Sequence, residues 1–129
     1  MDIKLPIFIN TEIFNELIII DNEDGGFLES IIKIYLDQTF NSIDKLNDLV
    51  TIKDFEECSK IGHMLKGSSS SIGLNDIALC GGRIEYLWKN ESINLAPEDI
   101  FTKISIEINL LEKNFKLAKD FLSQYIIKK

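Results

Sequence analysis

The chain has 129 residues, 45% of them hydrophobic, and a formal net charge of −7. That is enough apolar material for one compact domain. It is too acidic for a nucleic-acid partner, because phosphate neutralisation needs clustered Lys and Arg and the only arginine is Arg83. No apolar run approaches the roughly 20 residues of a membrane span, and no basic, apolar and small-residue succession marks a signal peptide. One histidine and two separated cysteines do not make a metal site. Cys58 and Cys80 both fall in helical patterns and read as buried reduced thiols of a cytosolic or nuclear protein.

Met1 to Asn10 reads as an extended lead-in, since Pro6 resists helix. Asn10 or Thr11 caps a short first helix running to about Ile20. That helix is apolar on more than one side, so one face can enter a core while the other stays available for docking. Asp21 to Gly26 is a break, and its acids suit the start of the next helix. A long second helix spans about Phe27 to Val50, with Leu28, Ile32, Leu36, Phe40, Ile43, Leu46 and Val50 as its inner stripe. After a short turn, Asp54 opens a third helix, in which Phe55, Cys58, Gly62, Leu65, Ser69 and Ile72 share one face.

Gly73 ends the third helix as a left-handed cap, and Asn75 caps the fourth almost at once. So short a connection makes these two helices antiparallel neighbours. The fourth runs to about Lys89, with Leu74, Ile77, Gly81, Ile84 and Trp88 facing inward. Its Gly81-Gly82 pair admits two readings: close helix packing, or more clearance near His63. Asn90 to Ala96 is a loop, and Pro97-Glu98-Asp99 suits the first turn of a final helix. Ile104, Ile108, Leu111, Phe115, Ala118, Leu122 and Tyr125 then form the strongest periodicity in the chain, with Lys128 and Lys129 at its negative end. No segment alternates with period two for long enough to be a strand. The expected fold is all-α: an antiparallel up-down-up-down four-helix bundle with a short additional N-terminal helix, one domain over residues 1–129.

The single histidine, His63, lies opposite the apolar stripe of the third helix, among Ser59, Lys60, Lys66, Gly67 and Ser70. A mid-helix glycine costs about 1 kcal/mol against alanine, and the run Ser68 to Ser71 is a mediocre helix former. Gly67 leaves a notch one turn after His63, Lys66 supplies positive charge, and Ser68 and Ser70 supply donors. An anionic group fits on an imidazole so placed. A single surface histidine is usually idle; the spacing to Lys66, Gly67 and the serines is what singles this one out.

His63-Met64-Leu65-Lys66-Gly67-Ser68-Ser69, with Gly73 six residues past Gly67, resembles the signature of histidine-containing phosphotransfer (HPt) domains. Ile72-Gly73-Leu74, Ile77-Ala78, Arg83-Ile84, Phe115-Lys116-Leu117-Ala118 and Leu122-Ser123 resemble the fungal phosphorelay intermediates of the Ypd type. The resemblance implies that His63 accepts a phosphoryl group on Nε2 from the aspartate of a hybrid sensor kinase's receiver domain. It then passes that group to the aspartate of a response regulator. Lys66 offsets charge on the phosphoryl oxygens, Gly67 keeps the approach open, and Ser68 matches a family serine near the site. Glu85 stands where the family often has a glutamine bonded to the histidine. A carboxylate there either holds the Nδ1 proton, at the cost of repelling a phosphoryl group, or points to water.

By the same resemblance, Ile13, Leu17, Ile20, Phe27, Ile31 and Met64 form the apolar patch on which receivers dock, unless some of them belong to the bundle core. The chain brings no cofactor; Mg²⁺ comes with the receiver. No P-loop or kinase Gly-rich loop is present, so no ATP-dependent kinase activity is expected. A freely diffusing monomer is expected. The competing readings are a receiver-binding adaptor that no longer accepts phosphate, and a hydrolase, for which His63 lacks a paired nucleophile and orienting acid.

Overall fold

Caps and breaks legible in the chain set the helix ends. The structure, a computed structural model, describes residues 9–23 and 25–126, with only the backbone of 22 and 23. The lead-in before Ile9, Asp24 of the break, and Lys128 and Lys129 lie outside the described residues. Asn10 caps α1 (Thr11–Glu23), its side chain accepting from the Ile13 N–H at 3.1 Å. α1 runs three residues beyond Ile20, and the Asp21 carboxylate then accepts the Leu28 N–H at the head of α2 (Phe27–Thr51). Asp54 caps α3 (Phe55–Ser71) through the Glu57 N–H.

Gly73, at φ 81°, closes α3 with the paired bonds Leu74 N–H to Ser69 O and Gly73 N–H to Ser70 O. α4 (Asn75–Tyr86) follows directly. Asn75 is its first helical residue rather than its cap; the cap is Leu74, whose fully buried side chain and antiparallel bridge to Ile9 fix that backbone. α4 does not give way to a loop at Asn90. It widens into a π turn over Leu87–Glu91 and a 3₁₀ turn over Ser92–Asn94, leaving only Leu95 and Ala96 before α5 (Pro97–Leu122).

Helices α2 to α5 pack as a ring, α2 on α3, α3 on α4, α4 on α5 and α5 back on α2, around one core. This is the up-down-up-down bundle. α1 lies on α2, and its buried Phe14 packs against Phe121 at the far end of α5 and Tyr125 in the 3₁₀ turn just after it. The inner residues of α3 and α5 are as the spacing requires, with only Tyr125 half-buried. α2 differs: Phe40 is 61% exposed, Leu36 is half-buried, and Tyr35, Thr39 and Ser42 are buried instead. Three successive steps of four carry Phe40 about 120° round the helix from Leu28, whereas steps of four and three keep Tyr35 and Thr39 on the seam. The buried hydroxyls are satisfied, Tyr35 Oη lying 2.7 Å from Ser69 Oγ of α3. Cys58 and Cys80 are unpaired and buried, and burial with the nearby Asp54 and Glu57 carboxylates pushes the Cys58 thiol up to about 11. Among the described residues no helix is long and apolar enough to cross a membrane.

Candidate functional site

The site is built on a close approach of two backbones. A Cβ added at Gly62 of α3 would stand 2.5 Å from Gly81 O of α4, and one added at Gly81 would stand 2.6 Å from Gly62 O. Neither is tolerable without moving a helix, so these glycines let α3 and α4 touch. The packing reading holds for Gly81. Gly82 lies against the stem of Lys66, whose Cδ would be 3.2 Å from an added Cβ. His63 follows Gly62 directly, and Glu85 lies one turn beyond Gly81. Helix contact at the glycines therefore brings the two candidate side chains together.

The His63 side chain is 64% exposed, while that of Glu85 is only 10% exposed. His63 Nδ1 lies 2.9 Å from Glu85 Oε2. Lys89 Nζ donates to the same oxygen at 2.8 Å, and Lys66 Nζ lies 3.3 Å from Oε1. The Lys89 hydrogen bond does most to hold the Glu85 carboxyl low. Lys66 and His63 add to it and partial burial opposes it, the net pKa being about 2. An ionised carboxylate only accepts, so the shared proton sits on Nδ1 and the neutral ring keeps its lone pair on Nε2. Two ammonium groups against one carboxylate leave one formal positive charge around the imidazole, in a chain that is otherwise acidic. That offsets the repulsion which Glu85 alone would exert on an anion.

The remaining residues singled out in the sequence fall into two groups. Gly67 faces open space, with nothing within 4 Å of an added Cβ, so the notch beside His63 is real. Ser68 is half-buried on the other side of α3, lining a groove with Met64, Gln38, Thr39, Ser42 and Lys45. Ser70 lies in a second groove with Lys66, Leu79, Gly82 and Tyr86. The exposed ridge of α3 thus divides two grooves. Ser59 is not on this outer face: it is buried against α4, donating to Glu85 O at 3.5 Å. Met64 is 60% and Ile20 42% exposed. Ile13, Leu17, Phe27 and Ile31 are half-buried, and Leu17 and Ile31 pack against the core.

Lys89 is the member of this charged cluster that sequence reasoning missed, although its position four residues after Glu85 was the signal. Among the described residues no cluster of three His, Cys, Asp or Glu side chains gathers.

A model of the Hpt domain family matches residues 30–119. The phosphorelay intermediate protein YPD1 of Candida albicans is 32% identical over 92 residues, a stretch that covers 70% of this chain and 50% of that protein. The chain thus spans half the length of this relative. The phosphorelay intermediate protein YPD1 of Saccharomyces cerevisiae is 33% identical over 131 residues, 92% of this chain and 78% of that one. Among solved structures, Saccharomyces cerevisiae Ypd1, co-crystallised with the receiver domain of its downstream response regulator Ssk1, superposes with a TM-score of 0.82. The identity is 27% over 95% of this chain and 97% of that one.

Proposed function

The chain belongs to the Hpt domain family, and from that membership we propose that it is a phosphorelay intermediate whose carrier residue is His63. The observation that carries this reading is the contact between His63 Nδ1 and the ionised Glu85 carboxylate on an otherwise exposed imidazole. The partners are receiver domains: one on a hybrid sensor kinase as donor, and those of response regulators as acceptors. A relative of the same fold co-crystallises with such a domain. Two buried, unpaired thiols support a cytosolic or nuclear setting, and the protein acts as a diffusing monomer.

In the forward step the Nε2 lone pair attacks the phosphorus of the donor's aspartyl phosphate. An N–P bond forms, the P–O bond to the aspartyl carboxyl breaks, and its electron pair leaves on the carboxylate. Nδ1 keeps its proton, and Glu85 balances the positive charge that develops on the ring. The return step is the reverse, with a second receiver's carboxylate displacing Nε2. Neither step creates or consumes a proton, so the protein's work is positioning and charge balance. Lys66 is exposed enough to turn from Glu85 to the phosphoryl oxygens, and Gly67 leaves space for them. The one carboxylate at His63 is already held by two ammonium groups and the imidazole, a poor donor set for a cation. The Mg²⁺ of the reaction therefore belongs to the receiver.

Ile20 and Met64 supply exposed apolar area for docking, and Ile13, Leu17, Phe27 and Ile31 border it from half-buried positions. A modest interface with an apolar centre suits transient partners. The test is transfer from a phosphorylated receiver domain to the wild type and to His63→Gln, followed by acid treatment of the label. Acid-labile, base-stable label on the wild type alone is expected. Label on both proteins would place the acceptor elsewhere, and binding without label on either would make the chain an adaptor.

A further inference from the structure

The charge cluster behind His63 contains a residue that the transfer steps do not use. Lys89 stands in the middle of the π turn that continues α4, 60% exposed, with its ammonium 2.8 Å from Glu85 Oε2. That oxygen is the one facing His63 Nδ1, whereas Lys66 faces Oε1 at the longer distance of 3.3 Å. Glu85 can turn about its side-chain torsions, and the oxygen it presents to the imidazole is fixed only if something holds it. Backbone contact at Gly62 and Gly81 sets the distance between the helices but not the carboxylate rotamer. Lys89, four residues along the same helix, supplies the missing constraint. The two lysines are thus unequal: the one on Oε1 can leave for a phosphoryl group without releasing the oxygen on which the imidazole depends.

We propose that Lys89 is a positioning residue: its hydrogen bond to Glu85 Oε2 orients the carboxylate that holds the His63 proton on Nδ1 and so keeps Nε2 the nucleophile. The charged groups facing Glu85 are His63 and Lys66 from α3 and Lys89 from its own helix. The inference deepens the phosphorelay reading and rests on it for its kinetic consequence, but the tautomer can be read without any partner. Free imidazole favours the proton on Nε2, so a ring held the other way has a signature. The chain contains one histidine, so its two ring nitrogens give the only imidazole signals in a ¹⁵N spectrum.

The experiment records that spectrum at about pH 8, where a free imidazole is neutral, for wild type, Lys89→Ala and Lys89→Arg. Wild type and Lys89→Arg should show the Nδ1–H form, and Lys89→Ala a mixture with Nε2–H. An unchanged tautomer in Lys89→Ala overturns the proposal whether or not the chain carries a phosphoryl group. Transfer rates then separate indirect from direct action. Lys89→Ala should slow acceptance on the order of tenfold, the scale of one charge-assisted hydrogen bond, and Lys89→Arg should restore it. In a Glu85→Ala background, Lys89→Ala should cost nothing further; if Glu85→Ala fails to fold, Glu85→Gln replaces it, and the added loss should then be under threefold. A full second loss in either background would mean that Lys89 touches the phosphoryl group or the receiver itself, and would sink the positioning role.

Discussion

α3 meets its two neighbours in different ways. Toward α4 it comes backbone to backbone at Gly62 and Gly81, and the charged cluster of His63, Lys66, Glu85 and Lys89 sits at the rim of that contact. Toward α2 it is spaced by side chains, and the buried Tyr35–Ser69 hydrogen bond sets the register beside an open groove at Met64. The difference teaches that chemistry needs the closer seam. At the closer seam the His63 imidazole meets the Glu85 carboxylate directly, while the wider seam leaves an open groove.

The largest way to break this asymmetry is Gly62→Ala. Its Cβ cannot coexist with Gly81 O, so the helices must part, with an expected loss of about 2–3 kcal/mol by urea unfolding and a matching loss of transfer as Glu85 withdraws. The equivalent insult on the α2 seam is Tyr35→Phe, which leaves the buried Ser69 hydroxyl without its partner. It should cost about 1–2 kcal/mol while the transfer rate per folded molecule stays as in wild type. If Tyr35→Phe slows transfer as much as Gly62→Ala does, the two seams do not divide their labour.

Gly67→Ala sharpens the comparison from the other side. It sits mid-helix facing open space, so it should stabilise by up to about 1 kcal/mol. Transfer should nonetheless slow, because the notch is filled. Glu85→Gln tests the charge by pH. The carboxyl of Glu85 is held from an ordinary 4.5 down to about 2. Its stabilising contribution is therefore whole above about pH 4.5 and is lost as pH falls toward 2. The wild type should lose its advantage over Glu85→Gln across that window, measured by thermal unfolding at a series of pH values. Smallest of all, Met64→Ala on the exposed side of the α2 groove should move stability by less than about 0.5 kcal/mol and show itself only as weaker receiver binding.

Local pattern by itself determined five helices, ends at Asp54, Gly73 and Pro97, the antiparallel pairing of the third and fourth helices, and the exposed imidazole with Lys66 and Gly67 beside it. All of these depend on residues within a few turns of one another, where capping chemistry and a 3.6-residue period suffice. The resemblance carried by the His63 to Gly73 stretch added the phosphotransfer reading. Only the tertiary structure decided that Glu85 points at His63 and not at water, because the two are 22 residues apart and meet through the glycine contact. It also decided that Ser59 is inside, that Tyr35 and Thr39 replace Phe40 on the seam, and that α4 winds into a π turn where a loop was expected. Which of several plausible faces a helix buries is settled by the neighbour it packs against, and that information is spread over the chain rather than held in any one stretch of it.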